Sequence, residues 1–174
     1  MTAADIKTLR ENTGAGMLEC KKALAEANGD LAEAEKILKE KGLAAVAKRA
    51  ERATSEGRIF IRQNENKIVV VEVTCETDFV AKNTDFIALG EKILDAVFAK
   101  GYTKIEKELE DLVLELATKI RENMSLRRLE VIDAPAGSAA ATYVHSDFKT
   151  GAVVVVEGSD SDDVKVFAKD CCLH

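Results

Sequence analysis

Cys75, His145 and Asp147 are the residue types of a thiol hydrolase, in which a thiolate attacks, a histidine takes the thiol proton and a carboxylate orients the imidazole. Nothing in the sequence places the histidine beside the thiol or supplies an oxyanion hole, so Cys75, at the end of a valine-rich run, reads as a buried structural cysteine. Thr13-Gly14-Ala15-Gly16 resembles part of a phosphate loop. No strand precedes it and no Gly-Lys-Ser/Thr follows, and it reads as a turn. Cys20, Cys75, Cys171 and Cys172 show no Cys-x-x-Cys spacing, and neither His145 nor His174 has a Cys or His at the short spacing of zinc ligands. The carboxylates are scattered at helix-surface spacing. These residues mark no catalytic centre, and they call for neither a metal nor a cofactor.

A different pattern stands out within Cys75–Gly90, where Thr-Asp-Phe occurs twice, as Thr77-Asp78-Phe79 and Thr84-Asp85-Phe86. One continuous helix would bring both phenylalanines onto one buried face, since they lie about two turns apart. The first copy, however, falls where a strand gives way to a helix whose apolar phase begins at Phe86. Connections lie on surfaces and often carry function, and an aromatic beside a carboxylate is a typical binding anchor. Pattern alone leaves both readings of Phe79 open.

The elements that position these residues are an α+β set. Apolar residues at helical spacing predict three helices up to about Lys41, marked by Ile6 and Leu9, by Met17, Leu18, Ala23 and Leu24, and by Leu31, Ala34, Ile37 and Leu38. The turn Thr13-Gly14-Ala15-Gly16 separates the first two, Gly29 can end the second, and Asp30 can cap the third. Residues 42–57 follow as a linker within a basic stretch that starts near Lys36, and their alanine content favours a semi-rigid helix.

From Gly57 the period shortens. Arg58–Arg62 and Lys67–Val73 are β-branched runs joined by Gln63-Asn64-Glu65-Asn66, a hairpin signal. Helical spacing returns from about Thr84 to Ala99, with Thr84 read as its cap, and again through Leu109, Leu112, Leu116 and Ile120 before a strand at Leu129–Ile132. After Pro135 the plan repeats: Ala141–His145 and Ala152–Glu157 stand for the first two strands, followed by an amphipathic segment from Ser161. The domains expected are 1–41, a linker 42–57, a first core unit 58–134 and a second, 135–174, which is incomplete relative to the first. A shortened chain or a natural short form would account for that.

The whole chain has 174 residues, 47% hydrophobic and 32% charged, an ordinary globular composition. Its net charge of −6 argues against a general nucleic-acid binder, which needs surplus cations to displace counterions, and points to a protein partner. No apolar run reaches the roughly 20 residues of a membrane span, and the first residues lack a signal-peptide core. The expectation is a cytoplasmic protein that contacts neither membrane nor nucleic acid directly.

Three segments, Thr13–Leu24, Glu26-Ala-Asn-Gly-Asp30 and Cys75–Asn83, together with Lys119–Arg128, strongly resemble the elongation factor Ts family across essentially the whole chain. The resemblance implies an N-terminal three-helix domain like a ubiquitin-associated domain, followed by a core of duplicated antiparallel-strand and helix units. It also implies a guanine nucleotide exchange factor for elongation factor Tu, with no covalent chemistry. Met17 and Leu18 would dock on the partner's nucleotide-binding domain. Asp78 and Phe79, flanked by Thr77 and Val80, would insert between its helices and disturb the magnesium and phosphate end of the nucleotide site. His145 matches the tyrosine-histidine segment of the second unit, which family members usually follow with small, glycine-rich residues. Here Ser146-Asp147-Phe148-Lys149 follows instead. Some short members dimerise, so the resemblance allows a homodimer. A different function class, a non-catalytic ubiquitin-associated-type adaptor, would use the N-terminal helices alone.

Overall fold

The computed structural model describes residues 2–174, which form two units: the residues up to Arg52 with Leu114–Asn123, and Ala53–Val113 with Met124–His174. The fold is α+β, with N-terminal helices ahead of antiparallel strand and helix units.

In the first unit, α1 (Ala3–Thr13), α2 (Met17–Glu26) and α3 (Leu31–Ala47) enclose Leu9, Cys20, Ala23, Leu24, Ala27 and Ala34. Local contacts set both ends of α1 and the start of α3. Thr2 and Asp5 form a reciprocal capping box on α1, and Gly14 closes it at φ 66°, its N–H donating to Arg10 O at 2.8 Å. Asp30 Oδ1 accepts from Glu33 N at 2.9 Å to start α3. The third helix does not stop near Lys41. It runs on to Ala47, and residues 48–52 are turns and a bend, so only the first part of the expected helical linker is helical. At Gly42, within α3, a Cβ would lie 2.4 Å from Thr118 Cγ2, so glycine serves close packing of α3 on residues of the same unit.

In the second unit, β1 (Glu56–Asn64), β2 (Lys67–Cys75) and β3 (Met124–Asp133) form an antiparallel sheet in that order. A two-residue turn, Glu65-Asn66, joins β1 to β2, with Glu65 at φ 51°. β2 is central and carries the buried residues Ile68, Val69, Val71, Val73 and Cys75. After it come the one-turn helix α4 (Asp78–Ala81) and α5 (Thr84–Lys100), both packed on β1 and β2. The buried stripe of α5 runs through Phe86, Leu89, Ile93, Leu94 and Val97. Its cap is Asn83, whose Oδ1 accepts from Asp85 N at 2.8 Å, and Thr84 is the first helical residue. Helix α6 (Lys107–Ile120) precedes β3, which begins at Met124, ahead of the expected Leu129.

The hairpin of β4 (Ala139–Val144) and β5 (Gly151–Val156) then forms a separate two-stranded antiparallel sheet, covered by α7 (Asp162–Leu173). Hairpin followed by helix therefore occurs twice. Among the described residues no helix is long and apolar enough to cross a membrane.

Candidate partner-binding site

The site is built where β2 ends. Cys75, fully buried, donates its thiol hydrogen to Thr77 O at 3.2 Å, which turns the chain out of the sheet. Thr77 has extended angles, φ −124° and ψ 153°, and its Oγ1 accepts from Val80 N at 3.4 Å, capping α4. Val80 and Ala81 are buried and fasten the turn to the core. Because successive helical residues are rotated by about 100°, anchoring Val80 and Ala81 inward sends Phe79 outward. Phe79 is 82% exposed, whereas Phe86 is 0% exposed and packs with its ring centroid 6.4 Å from that of Phe60.

The continuous-helix reading fails at Lys82 and Asn83. Asn83 takes φ −68° and ψ 139°, an extended conformation that breaks the helical phase between the two Thr-Asp-Phe copies. Identical spelling thus gives one aromatic to solvent and one to the core.

Asp78, half-buried, opens α4 and forms an ion pair with Lys82 one turn on, Oδ2 to Nζ, at 2.7 Å. The hydrogen bond from the Lys82 ammonium outweighs the opposing effect of burial and, with the Lys82 charge and the backbone N–H groups of Phe79 and Asp78, holds the carboxyl below its ordinary value of 3.8. The segment therefore presents a carboxylate charged at neutral pH beside an uncovered aromatic ring. Arrangements of this kind serve as anchors, the ring for a partner's apolar pocket and the carboxylate for a cation or N–H.

Met17 and Leu18 lie in the other unit, as the first two residues of α2, and are 62% and 65% exposed. Cys20, Ala23 and Leu24 of the same helix face its core, so α2 holds two large apolar side chains out of that core. His145 is exposed in the loop 145–150 between β4 and β5, with Nδ1 2.9 Å from Tyr143 Oη. Thr77, Asp78, Phe79 and Val80 are thus drawn into one segment, of which Val80 is the buried anchor and no contact surface in the free chain. The Cys75 thiol donates to Thr77 O, and the His145 imidazole meets Tyr143 Oη. No cluster of three or more His, Cys, Asp or Glu that could hold a metal occurs among the described residues.

Sequence reasoning missed the neighbours of this segment. Arg58 on β1 stacks its guanidinium 3.5 Å from the Phe148 ring centroid, and Lys149 Nζ pairs with Glu56 Oε2 at 2.6 Å. No local pattern announces contacts between residues so far apart in the chain. The only signal was the bulky Phe148-Lys149 after His145.

A family model described as Elongation factor TS matches residues 76–174. The elongation factor Ts of Treponema denticola is 54% identical over 99% of this chain and 63% of its own length. That of Treponema pallidum strain Nichols is 48% identical over the whole chain and 66% of its own length, and that of Idiomarina loihiensis 40% identical over the whole chain and 60% of its own length. The chain therefore spans less than two thirds of the length of these relatives. With more than half of its residues inside the family match, including the segment that carries Phe79, the chain belongs to the elongation factor Ts family.

Proposed function

We propose that this chain is a guanine nucleotide exchange factor that acts in translation elongation, in the cytoplasm, by binding elongation factor Tu and promoting release of GDP so that GTP can rebind. Asp78 and Phe79 are the inserted pair, Met17 and Leu18 the docking contact on the nucleotide-binding domain, and no bond is made or broken. The observation that carries the reading is the exposure of Phe79 at the tip of a helix whose next two residues are buried. A large aromatic held in water by a rigid anchor is preorganised for a pocket, and its burial on binding is worth about 1.5–3 kcal/mol.

The physical logic is linkage. If the factor-bound partner holds GDP less tightly, GDP must weaken the factor by the same ratio. Stopped-flow release of fluorescent GDP from elongation factor Tu tests the proposal: the rate rises with added chain and saturates. The exposed pair Met17 and Leu18 favours one second reading, a non-catalytic adaptor that docks through α2. That reading requires a complex to form while the GDP release rate stays unchanged.

A further inference from the structure

We propose that Arg58 is a positioning residue that fixes the direction of α4, so that the Phe79 anchor and the β4–β5 loop act as one unit; the inference rests on the exchange reading above. Residues 145–150 fold back on β1 at three adjoining points. Ile59 N–H donates to Phe148 O at 2.7 Å, Lys149 Nζ meets Glu56 Oε2 at 2.6 Å, and the Arg58 guanidinium lies over the Phe148 ring at 3.5 Å. Phe148 has φ 60°, a backbone region that a bulky aromatic rarely enters and that persists only where surrounding contacts hold it.

Arg58 also reaches the other way. Its Nη1 donates to Ala81 O, at the last residue of α4, at 3.5 Å. One planar cation thus meets the loop with its face and the α4 end with its edge. Burial lowers the proton affinity of this guanidinium without discharging it, and Nε is buried with no hydrogen-bond partner among the described residues. For a partly buried cation an aromatic face counts for more than it would in full solvent, since such stacking strengthens as water is removed. Lys149 is held above the usual lysine range first by its hydrogen bond to Glu56, against an opposing effect of burial.

A helix of one turn is marginal by itself, because nucleation fixes several residues for few hydrogen bonds. Thr77 sets where α4 begins and Val80 and Ala81 how deep it sits, which leaves the Ala81 carbonyl end for Arg58 to orient. Phe148 supplies the aromatic face on which this guanidinium lies, which a smaller side chain at that place in the loop could not.

Arg58→Lys keeps the charge and loses the planar face, Phe148→Leu keeps apolar volume and loses the ring, and Phe148→Tyr keeps the stack. The first readout uses the chain alone: hydrogen exchange at the Ala81, Lys82 and Asn83 amides, with Val71 of β2 as the global reference. The expected result is about fivefold faster exchange at those three amides in Arg58→Lys and Phe148→Leu, unchanged Val71, and wild-type behaviour in Phe148→Tyr. The second readout is GDP release against chain concentration, in which the same two variants lower the maximal rate about fivefold and change the half-saturating concentration less than about twofold. Unchanged α4 amides in both variants, or equal acceleration at α4 and Val71, would overturn the proposal. A wild-type chain that leaves GDP release unaltered would sink the exchange reading instead, while the amide measurement would still decide what Arg58 does.

Discussion

Replacing Phe79 and Phe86 separately by alanine pits two identical side chains in near-identical local sequence against each other. Phe79 is exposed in the free chain, so its truncation removes little buried surface and costs less than about 0.5 kcal/mol, the range of surface substitutions. Phe86 is fully buried against Phe60, and its truncation costs about 3–5 kcal/mol for lost transfer energy plus the cavity left behind. In urea denaturation followed by circular dichroism, Phe79→Ala is indistinguishable from wild type, while Phe86→Ala unfolds at markedly lower denaturant. In the exchange assay the order reverses. Losing about 1.5–3 kcal/mol of partner-induced burial at Phe79 lowers the rate of GDP release about 10- to 100-fold, at about 1.4 kcal/mol per factor of ten. A Phe79→Ala chain destabilised by more than about 2 kcal/mol would refute the reasoning about α4. So would one that folds normally and releases GDP at the wild-type rate.

The remaining predictions test separate parts of the account. Met17→Ala with Leu18→Ala leaves thermal stability within about 2 °C of wild type, because both side chains are exposed, but raises the half-saturating concentration of chain about tenfold or more in the release assay. Gly90→Ala on α5 is destabilising by about 1–2 kcal/mol despite alanine's better helix propensity, because its Cβ would lie 2.2 Å from Cζ of the buried Phe60 ring; calorimetry checks the sign. The Asp78 carboxyl is depressed by its Lys82 partner, so its contribution is present above the ordinary 3.8 and lost as pH falls through its lowered value. Exchange activity owed to Asp78 is therefore flat from about pH 6 to 8, whereas Asp78→Asn lowers it throughout that window. A pH-rate profile of the two chains reads this directly.

Much of the fold can be read from local chemistry. The β-branched runs at Arg58–Arg62 and Lys67–Val73, the stripe from Phe86 to Val97, the turn at Thr13–Gly16 and the glycine stop at Gly101 each act locally, and there the structure follows the pattern. Failures came where a residue answers to a distant neighbour. The domain end expected near Lys41 falls inside α3, where the helical Gly42 makes room for Thr118. Met124–Arg128 reads as an approach to a strand and is instead part of one, because β3 pairs with the whole length of β2. At the site, periodicity could not separate Phe79 from Phe86, since the distinction depends on Asn83 breaking the helix by its extended backbone and on Val80 and Ala81 turning inward. The Arg58-Phe148 stack depends on a loop returning to β1 from the second hairpin, which no spacing rule reports.

The central claim is that Asp78 and Phe79 couple binding of this chain to loss of GDP from its partner. Measuring the affinity of the chain for elongation factor Tu with and without bound GDP, for wild type and for Phe79→Ala, closes the thermodynamic cycle. The account predicts that GDP weakens wild-type binding by about tenfold or more, with Phe79→Ala losing most of that ratio. Equal affinity for the GDP-bound and nucleotide-free partner, or a ratio untouched by Phe79→Ala, would contradict it.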